Sequence, residues 1–227
     1  MTGIENNFSL QIGSLAGNET PQINVPFQNI STTNPSSNLN KTDSFKPSTS
    51  IMNNITPIQQ LNYLGLKYNV PFNNDLDKFQ EDIAKAVITS KANELGIPLK
   101  IAFGIAGNES GLKMWSNIQK GTVIKGKNIR AGVLNSTDWG VMQINDKAHK
   151  NVASKVKNNL ELNIEYGLKF LAEQRTSVKG NLHLGFGDWD KTIASYNLGH
   201  SPSSANDLKI AKNYVSRVKN NSSKYIN

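Results

Sequence analysis

Residues 101–112 read IAFGIAGNESGL, and their spacing decides the fold class. Ala102, Ile105 and Ala106 recur at helical intervals, and Glu109 falls on the same face, three and four residues further on. Pro98 stands where a first helical turn begins, a place where a missing N–H costs nothing. A carboxyl group on an apolar helix face is drawn out of water. That disfavours its charged form and raises its pKa, as a general acid working near neutral pH requires. The ordinary reading of one isolated glutamate is a helix-end side chain whose head reaches solvent. The segments on either side decide between the two.

Upstream, DLDKFQEDIAKAVITSKANELG (75–96) places Leu76, Phe79, Ile83, Ala86 and Val87 at helical intervals, with Gly96 as a stop. Downstream, residues 113–137 are interrupted by glycine and rich in β-branched residues, which predicts an irregular loop or short hairpin. Helical spacing returns in NIEYGLKFLAEQRTSVKG (163–180), where Ile164, Gly167, Leu168 and Leu171 form a stripe. A glycine-rich turn leads to KTIASYNLGHS, a short helix stopped by Gly199. The last helix is predicted over 207–220, with Ile210, Tyr214 and Val218 repeating every four residues. The class is mainly α (α+β), with at most a small β-hairpin.

The first 55 residues differ in kind. They are dominated by Asn, Ser, Thr and Gln, carry Pro21, Pro26, Pro35 and Pro47, and show no sustained period. Such a segment buries too little to offset its ordering entropy, so 1–55 is read as a disordered tail and 56–227 as the folded domain. The net charge of +8 lies in the domain, which carries about +9 by subtraction, because the tail sets Glu5, Glu19 and Asp43 against Lys41 and Lys46. A basic domain suits polyanions. Its lysines are spread over several helices without a basic run interleaved with aromatics, so nucleic acid is not the expected partner, and charge alone does not decide. The chain has no cysteine, and His149, His183 and His200 lack metal-ligand spacing, so neither metal nor cofactor is expected. No run approaches the ~18 apolar residues of a membrane span.

Four segments then stand in order: GNESGL (107–112), STDWGVMQIN (136–145), NIEYGLKFL (163–171) and DWDKTIASYNLG (188–199). Together they resemble the ordered signatures of the lytic transglycosylase and goose-type lysozyme superfamily, over roughly residues 70–220. The resemblance implies a lysozyme-like fold and a peptidoglycan glycosidase with Glu109 as its acid. It implies that Ser110 orients the carboxyl or the substrate, and that the Tyr196 hydroxyl approaches the carboxyl beside Asn197. It also places Tyr214 near the cleft. From the residues themselves, Gln143 offers an amide donor and acceptor to sugar hydroxyls and N-acetyl groups. Met142 reads as a cleft wall or a core residue. Trp115 and Trp139 are candidates for stacking on pyranose faces, whereas Trp189 is expected to pack the start of its helix.

Asp138 departs from the common transglycosylase pattern, which has a small residue there. STDWGVMQIN is similar instead to c-type lysozymes and to some secretion-associated wall-remodelling enzymes, in which an Asp supplies a second carboxylate. Two chemistries stay open. Glu109 alone supports a lytic transglycosylase that cuts the MurNAc–GlcNAc β-1,4 bond and closes a 1,6-anhydro ring; Glu109 with Asp138 supports a hydrolytic muramidase. A non-catalytic wall-binding component of a virion or secretion machine is the third reading. The N-terminus shows no secretory signal, its first Lys or Arg being Lys41. Action at the cell wall is therefore expected to need delivery by a virion or a non-Sec route, with the tail docking to that machinery.

Overall fold

The computed structural model describes residues 55–177 and 182–226. The expected tail, residues 1–55, lies outside the described residues except for its last position. The described chain is mainly helical, with two small antiparallel sheets between its third and fourth helices. This is the lysozyme-like arrangement the sequence implied.

Helix α1 (Pro57–Tyr68) starts at a reciprocal capping box between Thr56 and Gln59. Helix α2 (Leu76–Glu94) is capped by Asp75 and buries Phe79, Ile83, Val87 and Ile88, one continuous stripe. Helix α3 (Leu99–Ser110) buries every residue from Ile101 to Ala106 and ends at Gly111 in the left-handed conformation. A helix buried all round is central, and α3 forms the axis of the core.

Strands β1 (Trp115–Asn117) and β2 (Thr122–Val123) make one small sheet. The other holds β3 (Lys125–Arg130), β4 (Val133–Trp139) and β5 (Ile144–Asn145), with β4 central. Strand period two turns the Asp138 and Trp139 side chains to opposite faces of β4. The turn Gly140–Gln143 joins β4 to β5, with positive φ at Gly140 (75°) and Gln143 (48°).

Helix α4 (Lys150–Val156) and helix α5 (Leu160–Ser177) follow. The expected stripe of α5 is buried: Ile164, Leu168 and Leu171 are inaccessible, and Gly167 faces Met142. Before helix α6 (Asp190–Leu198), the buried Asp190 carboxylate accepts the backbone N–H groups of Leu184, Gly185 and Phe186, which fixes the glycine-rich turn. Trp189 caps the start of α6 under the guanidinium of Arg175, in keeping with its expected packing role.

Helix α7 (Ala205–Tyr225) extends beyond 207–220 at both ends, and at its start Ser204 and Asp207 form a second capping box. Its buried stripe is Ala211, Tyr214, Val215, Val218 and Ser222, and Ile210 is 38% exposed rather than part of it. A strict four-residue repeat drifts around a helix of 3.6 residues per turn, so one end of the expected stripe leaves the core.

Candidate active site

Helices α3 and α7 bring Glu109 and Tyr214 together, and glycine makes the approach possible. A Cβ on Gly104 would lie 2.5 Å from the Val218 carbonyl oxygen, and one on Gly107 would enter the Tyr225 ring. With bare backbone at both places the helices close, and the Tyr214 hydroxyl donates to Glu109 Oε1 at 2.5 Å. Tyr214 is itself 1% exposed, and burial beside Glu109 holds its pKa far above the usual phenol value. It stays a donor at any working pH.

Glu109 is partly buried at the end of α3. Burial raises its pKa, and the charge of Asp138 adds to the rise. Hydrogen bonds from Tyr214 and Asn108 and the positive charge of Arg217 oppose it, without reversing it. The Asn108 amide reaches Oε1 at 3.5 Å, and Arg217 Nε donates to Asn108 Oδ1 at 3.2 Å. Both donors converge on Oε1. No donor among the described residues is hydrogen-bonded to Oε2.

Asp138 lies on the central strand, where two amides hold it: Asn128 Nδ2 on Oδ2 at 2.8 Å and Asn145 Nδ2 on Oδ1 at 2.6 Å. Its neighbour across the surface is Gln143. A Cβ on Gly126 would stand 2.9 Å from Gln143 Oε1 and 3.4 Å from Asp138 Oδ2, so the two side chains share the space above one glycine. Gln143 also donates Nε2 to the Gly140 carbonyl at 2.7 Å, which spends one of its donors on its own turn.

The turn between β4 and β5 is fastened from three sides. Ser110 donates its hydroxyl to the Val141 carbonyl (2.9 Å), and Tyr196 donates to the Met142 carbonyl (2.8 Å). Buried Asn163 accepts from the Met142 N–H (2.8 Å) and donates to the Trp139 carbonyl (2.9 Å). Two expectations change here. The Ser110 hydroxyl does not orient the Glu109 carboxyl; it bonds the turn. The tyrosine on the carboxyl is Tyr214, while Tyr196 supports the loop and senses Glu109 and Asp138 through their charges, which raise its pKa after burial has done so.

Other expected residues fall elsewhere. The Met142 side chain is fully buried against Gly167, so it belongs to the core and not to a cleft wall. Trp115 is 1% exposed and has no face to offer a sugar. Trp139 is partly exposed, but on the face of β4 opposite Asp138, where it meets α4. Asn197 is exposed at the end of α6. Sequence reasoning missed Asn108, Arg217, Asn128, Asn145 and Asn163. Asn108, Asn145 and Asn163 all stand inside the quoted segments GNESGL, STDWGVMQIN and NIEYGLKFL, which was the available signal, whereas Asn128 and Arg217 lie outside them.

The arrangement favours the protonated form of one carboxyl more than an ordinary glutamate does, near a second carboxyl on the sheet and a rigid turn that presents polar groups. A family model described as Transglycosylase SLT domain matches residues 86–217, more than half of the chain. No curated protein and no solved structure matches it. Among the described residues, no helix is long and apolar enough to cross a membrane, and no three His, Asp or Glu side chains cluster as metal ligands.

Proposed function

The chain belongs to the transglycosylase SLT domain family, which acts on the peptidoglycan of the cell wall, and from that premise we propose that it cuts the MurNAc–GlcNAc β-1,4 bond with Glu109 as acid and then base. The observation that carries the reading is the Glu109 carboxyl, its pKa raised by burial and its Oε1 occupied by Tyr214. The proton then sits on Oε2, the oxygen left for substrate. Glu109 gives this proton to the glycosidic oxygen as the bond to the muramyl anomeric carbon breaks, and the electron pair leaves with the GlcNAc oxygen. The muramyl 6-hydroxyl attacks the anomeric carbon, and its proton passes to the Glu109 carboxylate. One bond is lost, one ring is gained, and no water is consumed.

Gln143 is the proposed partner of substrate hydroxyl or N-acetyl groups, and the exposed Asn197 an additional one. A second reading, hydrolysis with Asp138 as the other carboxylate, is favoured by the two amides that hold Asp138 and by its charge acting on Glu109. Delivery to the wall through the N-terminal tail, by a virion or secretion machine, remains part of the proposal.

Digestion of purified peptidoglycan, read by mass spectrometry, separates the two chemistries. Anhydro products lie about 18 mass units, one water, below hydrolysed muropeptides. Glu109→Gln is expected to lower either activity by about 10²–10⁴-fold, the usual worth of a positioned acid. Full activity in that variant removes Glu109 from the mechanism. Asp138→Asn is expected to cost less than about tenfold in a transglycosylase and far more in a two-carboxylate hydrolase.

A further inference from the structure

A second cleft lies on the sheet face away from Asp138. It has a volume of about 270 Å³ and is lined by Trp139, Asp146, Lys150, Ala153, Ser154 and Lys157. Four of these, Lys150, Ala153, Ser154 and Lys157, follow the i, i+3, i+4, i+7 pattern of one helix face, so the first turns of α4 and its C-cap present a single stripe to the indole. Ala153, buried at the middle of that stripe, leaves the space a larger side chain would fill.

The cleft is positively charged. Lys157 Nζ lies 5.9 Å from the centroid of the Trp139 ring, and Lys125 Nζ, its cross-strand neighbour, lies 5.7 Å from it. None of Lys125, Lys150 and Lys157 is ion-paired among the described residues. The one carboxylate present, Asp146, is engaged: Oδ1 accepts the Thr137 N–H at 2.9 Å and Oδ2 the indole N–H at 3.3 Å. That bond fixes the ring. Two ammoniums, those of Lys125 and Lys157, therefore lie over an oriented aromatic surface, and Lys150 and the exposed Ser154 line the cleft beside it.

We propose that this cleft binds a sugar ring bearing an acidic substituent, at a site separate from Glu109 and Asp138. The C–H face of a pyranose packs on the indole, and the acid draws Lys157 off the ring and pairs with it and with Lys150 in charge-assisted hydrogen bonds. Binding here holds the enzyme on an anionic wall polymer whether or not the bond at Glu109 is being cut. The acid is a carboxylate if the polymer is the glycan's own muramic acid, and a phosphate if it is a phosphorylated wall sugar.

The test follows the Trp139 indole N–H by NMR, assigned with Trp139→Phe, during titration of the full chain with three probes. N-acetylmuramic acid carries the carboxylate, glucose 6-phosphate the phosphate, and N-acetylglucosamine no acid. A saturable shift with either acidic sugar, at least about tenfold tighter than with the neutral one, supports the site. The tighter of the two acidic probes identifies the source. Glu109→Gln is expected to keep this binding, and the double variant Lys150→Glu, Lys157→Glu to lose it at least about tenfold with an unchanged melting temperature. The proposal is overturned if no acidic probe moves the signal, or if the neutral sugar binds as well. It is also overturned if the shift vanishes in Glu109→Gln, which moves the binding to the catalytic cleft. Peptidoglycan digestion measured in parallel keeps this outcome distinct from failure of the Glu109 mechanism.

Discussion

At the scale of single residues, the Tyr214–Glu109 contact makes a pH-dependent prediction whose sign is fixed. Glu109 works first as an acid, so the rate falls as pH rises through its pKa. The Tyr214 hydroxyl donates to the carboxylate form and holds that pKa below the level burial alone would set. Tyr214→Phe removes the donor and keeps the ring in its buried slot. The alkaline limb of the pH–rate profile is therefore expected to move to higher pH, with a rate loss of about tenfold at the optimum. A limb that stays in place, or moves to lower pH, refutes the role given to Tyr214. Glu109 stands out in the sequence because an acid on the face of Ala102, Ile105 and Ala106 breaks the helical pattern. The resemblance put the Tyr196 hydroxyl on that carboxyl instead of Tyr214, since both lie on amphipathic helices and only the crossing of α3 and α7 decides which hydroxyl arrives. Asn128 and Asn145 were illegible for a similar reason: their contacts with Asp138 depend on strand register across β3, β4 and β5.

At the scale of elements, the glycines of α3 and α5 set how closely the helices approach the site. Alanine favours a helix over glycine by about 1 kcal/mol, so propensity alone makes Gly104→Ala stabilising. The geometry reverses the sign. The new methyl meets the Val218 carbonyl, a backbone atom that cannot swing aside, and α7 has to back away. The expected cost is about 1–3 kcal/mol by denaturant unfolding, together with a loss of activity as Tyr214 withdraws from Glu109. Gly167→Ala is the companion case. Its methyl would stand 2.5 Å from Met142 Cβ and push the turn that Tyr196 and Asn163 hold. Gly104→Ala that is as stable and active as the parent sinks this account. The helices themselves were readable from apolar spacing, caps and Gly stops, whereas strands of two or three residues such as β2 and β5 are too short to show an alternation.

At the scale of the whole molecule, stability and catalysis are expected to reside entirely in the part that follows the Asn- and Ser-rich tail. Every member of the core cluster among the described residues lies between Leu61 and Val218, and the first helix carries its own cap in Thr56 and Gln59. A chain starting at Ile55 keeps that capping box and retains the net positive charge of the domain, because the tail is slightly acidic. It is expected to melt within about 2 °C of the full chain and to digest isolated peptidoglycan at the same rate. Positive charge spread over several elements draws a polyanionic wall from a distance, an attraction that salt screens within about 10 Å at 0.1 M. Sedimentation with intact sacculi should accordingly weaken as salt rises, equally for both chains. A shortened chain that melts early would show that the tail contributes to the core. One that folds but no longer binds sacculi would transfer wall recognition from the lysine-bearing domain to the tail, and with it the reason for the domain's charge.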